Sequence, residues 1–133
     1  MKRLFLDDDP VRRKRFRSLH PDATIVESAE ECVGEMMDER HGSWDEVYLD
    51  HDLLGPTPCY SDDRRSGMEV VRHVECRMQG LSPVPLKVGL FVLHTANRCA
   101  ALEMGHRLIA LGYKVELRPA HTFLGPRTGE ERP

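Results

Sequence analysis

Short apolar runs alternate with amphipathic segments along most of the chain. The apolar runs have the length of buried strands, whereas the segments between them carry apolar residues at helical spacing. This alternation predicts an α/β fold with a doubly wound, five-stranded parallel sheet. The predicted strands are residues 3–7, 23–26, 46–50, 86–93 and 113–118, and the predicted helices are 10–19, 28–40, 68–78 and 97–111.

Local signals mark where several helices begin and end. Asp9-Pro10 predicts a capped helix start with proline in the first turn, and Ser28 with Glu31 forms a capping box. The connection at 55–67 is longer than most strand-to-helix loops, which favours a functional role for it. Residues 119–133 are rich in proline and glycine, so the last helix is predicted to be truncated or absent. One domain, 1–133, is expected to end in this irregular tail.

Composition excludes several classes of protein. The chain has 133 residues, a net charge of −3 and 31% charged residues, so it is not a polycation that coats nucleic acid. The four cysteines lack C-x-x-C spacing, which favours reduced thiols over a disulfide framework. No apolar run approaches the ~18 residues of a membrane helix, and no apolar leader precedes the first strand. A cytoplasmic protein without membrane contact is expected.

Ionisable and hydroxyl side chains stand where the predicted strands end. Because the carboxyl ends of parallel strands meet at one edge of a sheet, these side chains are expected to converge there. The residues are Asp7 and Asp8 after strand one, Asp50, His51 and Asp52 after strand three, His94 and Thr95 after strand four, and Arg118 and His121 after strand five.

This set of side chains favours a divalent cation. Four carboxylates at one edge would repel one another, and a cation relieves that repulsion. Carboxylates alone favour Mg²⁺, whereas added imidazoles shift the preference toward Mn²⁺ or another transition metal. The predicted metal ligands are Asp7, Asp8, Asp50, His51 and Asp52. A lone histidine is more commonly a surface or structural residue, and the run of aspartates from Asp7 also suits a helix cap.

The motifs LDDDP, LDHDL and HT resemble the receiver domain of response regulators over residues 2–119. The resemblance implies the strand order 2-1-3-4-5. It implies that Asp7 and Asp8 match the acidic metal-binding pair and that Asp50 matches the phosphoacceptor. It also implies that Thr95, followed by a small residue, matches the hydroxyl position after strand four.

The chain departs from ordinary receivers in ways that alter the expected chemistry. Arg118-Pro119 stands where the family normally has Lys-Pro, and arginine is not equivalent to a mobile lysine. His51, His94 and His121 are additional. The sequence therefore resembles more closely a divergent receiver-like group proposed to process cyclic phosphates.

Two functions from different classes are consistent with this edge. The first is a metal-dependent phosphodiesterase that hydrolyses a cyclic phosphate, either an RNA 2′,3′-cyclic end or a cyclic nucleotide. His94 and His121 are then the acid–base candidates, Arg118 clamps a phosphate oxygen, and Thr95 completes the catalytic set. The second is a degenerate receiver that binds a partner or accepts a phosphoryl group on Asp50. A third possibility is a metal-free phosphoesterase that uses a histidine pair.

The cationic stretch RRKRFR at 12–17 lies on the first predicted helix. Its simplest interpretation is a solvated helix face. Alternatively, Arg12 and Arg13, nearest the helix start, attract a polyanionic substrate. The missing last helix leaves part of one sheet face without cover, so a homodimer is also expected.

Overall fold

All five predicted strands form and pair in parallel in a single sheet. The structure is a computed structural model and describes residues 1–55, 57–80 and 85–126. The strands are β1 (Arg3–Leu6), β2 (Thr24–Val26), β3 (Ser43–Leu49), β4 (Lys87–Leu93) and β5 (Val115–Leu117). Their order across the sheet is β2-β1-β3-β4-β5, which confirms the predicted topology.

Four α-helices connect the strands, as the apolar spacing predicts. They are α1 (Pro10–Leu19), α2 (Ala29–Met36), α3 (Met68–Gln79) and α4 (Arg98–Ala110). The cap signals are confirmed, since Asp9 Oδ2 accepts from the Arg12 N–H at 3.0 Å and Ser28 Oγ accepts from the Glu31 N–H at 3.1 Å.

The second helix is shorter than predicted, and the third strand begins earlier. After α2 ends at Met36, a 3₁₀ turn spans Glu39–His41. Asp38 caps this turn by accepting from the Arg40 N–H at 3.0 Å, and Gly42, with φ 72°, reverses the chain into β3. A polar cap and a glycine in the left-handed region therefore end the helix that the apolar periodicity extended to residue 40.

Alternate side chains of the strands enter two separate cores. Leu4, Leu6 and Phe91 face α2, α3 and α4, whereas Phe5, Tyr48 and Val92 face α1. Parallel strands covered on both faces are apolar throughout their length, which explains the continuous apolar runs in the sequence. The polar residues that follow β1, β3 and β4 are therefore held at the edge of a rigid sheet.

No fifth α-helix follows β5 in the described part of the chain. A 3₁₀ turn at Ala120–Thr122 takes its place, and Leu124, 2% exposed, packs into the core beside α1. Arg15 Nη1 donates to the Leu124 carbonyl at 2.7 Å and fastens this segment to α1. The predicted truncation is confirmed over residues 119–126. Residues 127–133 of the predicted tail lie outside the described residues, as do 56 and 81–84.

Among the described residues, no helix combines the length and apolar character needed to cross a bilayer.

Candidate functional site

Asp7, Asp50 and His94 form a buried cluster at the carboxyl edge of the sheet. Each offers one potential ligand atom, and these atoms all lie within 4.8 Å of one another. The three residues follow the adjacent strands β1, β3 and β4. The strand pairing continues into them, because the Asp50 N–H donates to the Leu6 carbonyl at 3.3 Å and the His94 N–H to the Leu49 carbonyl at 3.1 Å. Backbone hydrogen bonds thus set the spacing of the cluster.

His94 is held by an aromatic contact and a carboxylate. Its ring stacks on Phe5 with centroids 4.8 Å apart, and its Nε2 lies 3.1 Å from Asp7 Oδ2. The side chain is fully buried, and its Nδ1 has no hydrogen-bond partner among the described residues. A buried polar atom without a partner is costly, so this nitrogen marks a position where a further polar group would be favourable.

Two residues at the start of α1 hold the Asp7 carboxylate. Its Oδ1 accepts from the Asp9 N–H at 2.8 Å, and Oδ2 lies 4.0 Å from Arg12 Nη1. Arg12 is 5% exposed, so its cation faces the acid cluster at low dielectric. The Arg12 cation thus offsets part of the repulsion between the carboxylates of Asp7 and Asp50.

This donor set fits a divalent metal ion. Asp7 and Asp50 supply carboxylate oxygens and His94 supplies an imidazole nitrogen, and all three are buried. Oxygen donors accept Mg²⁺ and Mn²⁺, whereas an imidazole favours first-row transition metals. The structure therefore shows a buried cluster of acidic and histidine side chains that could bind a metal ion, and the predicted metal cofactor stays a prediction.

Asp8 ties the cluster to the long loop after β3. Its Oδ2 accepts from the Gly55 N–H at 2.6 Å. The side chain is half-buried and adjoins Asp7 in sequence, so it adds negative charge close to the cluster. Its predicted role as a metal ligand stays a prediction.

His51 and Asp52 form a separate hydrogen-bonded chain with Ser61. His51 Nδ1 lies 2.7 Å from Asp52 Oδ1, and His51 Nε2 lies 3.0 Å from Ser61 Oγ. Asp52 Oδ1 also accepts from the Cys59 N–H at 3.3 Å. Both ring nitrogens of His51 thus have partners in the 52–61 segment, and this series of hydrogen bonds fastens the loop. Metal binding by His51 and Asp52 stays a prediction.

Gly67 permits the sharp turn after Asp50. A Cβ at this position would lie 1.8 Å from the Asp50 carbonyl oxygen, and the Gly67 N–H donates to the His51 carbonyl at 2.9 Å. The long loop therefore returns directly onto the end of β3. Only glycine allows this approach, because a side chain would overlap the backbone.

Thr95 and His121 lie on the β5 side of the cluster. Thr95 is 5% exposed, and its Oγ1 accepts from the Asn97 N–H at 3.1 Å. Both residues line a cavity of about 330 Å³, in which His121 is exposed to solvent. The structure thus brings these two predicted catalytic residues to one cavity. Their catalytic roles stay predictions.

Arg118 is engaged by neighbours on the α1 face of the sheet. It forms an ion pair with Glu116, and its Nη1 donates to Tyr48 Oη at 3.4 Å. Its guanidinium lies 5.6 Å from the Phe123 ring centroid. Burial, followed by the charge of Glu46, raises the pKa of Tyr48, so this phenol stays neutral. Phosphate clamping by Arg118 stays a prediction.

Arg13 occupies a bridging position at the strand-one edge. Its Nη1 donates to the Asp7 carbonyl at 3.0 Å, and its Nη2 lies 3.1 Å from Glu27 Oε2. The side chain therefore joins the loops that follow β1 and β2. Both guanidinium groups have partners within the protein. Substrate binding by Arg12 and Arg13 stays a prediction.

Three residues that support the edge of the sheet were not among the predicted site residues. Phe5 lies in a predicted strand, and nothing in its position indicates that it stacks on His94. Ser61 gave no signal, since a serine in a polar loop has no diagnostic spacing. Gly67, directly before an apolar helical repeat, is a detectable signal of a tight approach.

Comparisons with known proteins give one family match and two distant structural likenesses. A family model described as "Cyclic-phosphate processing Receiver domain" matches residues 2–110. No curated protein matches the chain. Among solved structures, the chain is similar to the signal receiver domain of a modulated diguanylate cyclase from Desulfovibrio desulfuricans G20, at 17% identity and a TM-score of 0.43, over 91% of this chain and 85% of that chain.

A second solved structure is a fusion that contains the yeast Spc42 trimeric coiled coil. It shares 18% identity and a TM-score of 0.43, over 87% of this chain and 67% of that chain. The sequence identity and the TM-score of both structures are too low to inform on the site. The family match spans β1 through α4 and includes Asp7, Asp50 and His94. The chain therefore belongs to the cyclic-phosphate processing receiver domain family.

Proposed function

We propose that this protein is a metal-dependent phosphodiesterase that hydrolyses a cyclic phosphate, either an RNA 2′,3′-cyclic end or a cyclic nucleotide. The observation that carries the proposal is the buried grouping of Asp7, Asp50 and His94 within 4.8 Å. An ordinary phosphorylation site does not need a buried imidazole beside its carboxylates. The description of the family, which names cyclic phosphates, supports the same substrate class.

The buried cluster gives each residue a defined task. Asp7, Asp50 and His94 would hold the cation, so that His94, predicted from the sequence as an acid–base residue, serves as a ligand in this proposal. A bound divalent cation supplies Lewis acidity toward a phosphoryl oxygen. Arg12 limits the repulsion between the carboxylates from its position 4.0 Å from Asp7. Mn²⁺ or another transition metal is favoured over Mg²⁺ because one donor is an imidazole.

Residues on the β5 side are suited to proton transfer and phosphate binding. His121 is exposed on the cavity that Thr95 lines, so it can donate a proton to a leaving oxygen. Arg118 can bind a phosphate oxygen after it releases Glu116. That release costs little, because the Arg118 and Glu116 side chains are 34% and 46% exposed and exposed ion pairs contribute about 0–1 kcal/mol.

The experiment combines elemental analysis with turnover. Purified protein is analysed for Mn, Fe, Co, Ni and Zn, and then assayed on adenosine 2′,3′-cyclic and 3′,5′-cyclic phosphate with and without chelator. We expect copurified metal and chelator-sensitive hydrolysis. His94→Gln should reduce turnover by at least roughly 100-fold, since even outer-shell partners of a metal contribute about 10–100-fold. His106→Gln, an exposed histidine on α4, is the matched control and should retain activity.

Other outcomes of this assay select other functions. Metal-loaded protein that is inert on every cyclic phosphate contradicts the proposal. Chelator-insensitive turnover selects a metal-free acid–base mechanism instead.

A receiver that accepts a phosphoryl group on Asp50 is the second candidate. It is favoured by the positions of Asp50 after β3 and Thr95 after β4, which match the receiver pattern. Such a protein would form a beryllofluoride adduct at Asp50 and would be indifferent to His94→Gln. Fluorine NMR of the wild type and the variant distinguishes this candidate from a hydrolase.

We further propose that the protein binds a phosphate-containing small molecule or an RNA end. We also propose that it forms a homodimer. Leu117 on β5 and Ile109 on α4 are 47% and 55% exposed, and the reduced cover after β5 favours association on that side. Light scattering of concentrated protein measures the molar mass directly. A monomer at high concentration contradicts the dimer.

A further inference from the structure

A second concave surface lies between the start of α2 and the loop after β3. It encloses about 490 Å³, within the roughly 300–1,000 Å³ range of small-molecule sites. None of the residues assigned above to metal binding or catalysis lines it. Its apolar wall comes from residues of α2 and the loop, namely Ala29, Val33, Leu53 and Leu54.

The cavity and the acid cluster share one segment of chain. Leu53 follows His51 and Asp52, and Leu54 precedes Gly55, whose N–H donates to Asp8 Oδ2 at 2.6 Å. Leu54 and Thr57 also form a β-bridge that shapes this turn. The residues that follow Asp50 therefore connect the acid cluster, along the chain, to the lining of this cavity.

The charged groups at the rim are not equivalent. Arg65 is bound to Asp63 at 2.9 Å, and Glu69 accepts from Arg72 at 2.7 Å. Arg64 also lines the rim, but it has no hydrogen bond or ion pair to another residue within 1–55, 57–80 and 85–126. An arginine and an apolar wall that line the same cavity favour a flat aromatic ring, because guanidinium groups stack on aromatic faces.

We propose that this cavity binds the nucleobase of a nucleoside cyclic phosphate, with the Arg64 guanidinium stacked on one face of the base. The apolar wall of Val33 and Leu54 contacts its other face. This assignment rests on the proposed function, in which the phosphate lies at the Asp7, Asp50 and His94 cluster. It names a nucleoside, rather than a simple sugar or glycerol cyclic phosphate, as the substrate class.

The test compares two substrates that differ in the base. Wild-type protein and Arg64→Ala are assayed on adenosine 2′,3′-cyclic phosphate and on glycerol 1,2-cyclic phosphate. We expect Arg64→Ala to raise KM for the nucleoside substrate by about tenfold, which corresponds to about 1.4 kcal/mol. Its kcat and its KM for the glycerol substrate should not change. Arg40→Ala, a 90%-exposed arginine before β3, is the control and should change neither KM.

A binding measurement separates failure of this inference from failure of the proposed function. Methyl NMR with adenosine 2′-monophosphate should shift the Leu53, Leu54 and Val33 signals, and Arg64→Ala should weaken these shifts. Shifted methyl signals without hydrolysis retain the nucleobase site and contradict the phosphodiesterase. Hydrolysis without methyl shifts, or an equal effect of Arg64→Ala on both substrates, overturns the nucleobase site.

Discussion

Two histidines that follow neighbouring strands have different environments. His94 is stacked on Phe5 and lies 3.1 Å from Asp7, within the acid cluster. His51 is also buried, but its ring nitrogens lie against Asp52 and Ser61. The same residue type at equivalent strand ends thus contributes to the cluster in one case and to loop order in the other.

Asp50→Asn should abolish cation binding, although the variant should still fold. Asparagine keeps the oxygen that accepts from the His51 N–H, but it removes one buried negative charge. In the wild type, Mn²⁺ at about 100 times its dissociation constant should stabilise the protein by about 2.7 kcal/mol. Thermal denaturation with and without Mn²⁺ measures this increase, and Asp50→Asn should abolish it.

Asp22→Asn is the matched control for this measurement. Asp22 is exposed in the turn between α1 and β2, so its variant should retain the Mn²⁺-dependent rise in Tm. An equal rise in Asp50→Asn and the wild type would show that the cation binds elsewhere.

The loop between β3 and α3 is the element that shapes the edge of the sheet. The contacts that fasten it include those of Asp8 with Gly55, His51 with Ser61, and Gly67 with the His51 carbonyl. Most connections in compact domains are shorter, and long ones are commonly functional. These contacts hold the loop between the acid cluster and the neighbouring cavity.

Gly67→Ala should destabilise the protein because its Cβ would lie 1.8 Å from the Asp50 carbonyl oxygen. Overpacking of this kind costs about 1–3 kcal/mol. Urea denaturation measures the free energy of unfolding, and the Mn²⁺-dependent stabilisation should fall as well, because the clash displaces Asp50.

Gly34→Ala makes the same chemical change, but we expect it to have the opposite effect on stability. Gly34 lies on the exposed face of α2, and a Cβ there would meet no atom within 4 Å. Alanine should therefore stabilise the helix by about 0.5–1 kcal/mol. A gain in stability in Gly67→Ala similar to that in Gly34→Ala would contradict the close approach.

At the scale of the whole molecule, a short C-terminal segment replaces a helix. Ala120 and Leu124 are 2% exposed and pack with Phe5, Phe16 and Tyr48. Because Phe5 also stacks on His94, this core supports the site directly. The segment therefore covers part of the α1 face of the sheet and supports the position of His94.

Leu124→Ala should cost about 2–5 kcal/mol, the usual range for truncating a buried leucine. Leu102→Ala, on a 41%-exposed position of α4, is the control and should change stability by less than about 0.5 kcal/mol. Chemical denaturation of both variants gives the comparison. Equal losses would show that the segment does not cover the core.

Some features of the site were predictable because they depend on strand direction alone. Parallel strands bring Asp7, Asp50 and His94 to one edge whatever their side chains contact. The contacts of His51 and Arg118 were not predictable in this way. The direction of His51 depends on Ser61 in the following loop, and that of Arg118 depends on Tyr48 on another strand, and neither partner carries a diagnostic pattern.

By itself, the sequence determined most of the helices and strands, the parallel direction of the strands and the edge of the sheet at which the polar residues gather. Apolar periodicity and helix caps are local properties, and strand direction follows from the alternation of strands and helices. Tertiary structure alone decided which of the gathered side chains meet. Asp50, His51 and Asp52 follow one another directly after β3, but among the described residues only Asp50 of these three joins Asp7 and His94 in the metal-competent cluster. Side-chain direction is set by packing between distant residues, which local patterns do not encode.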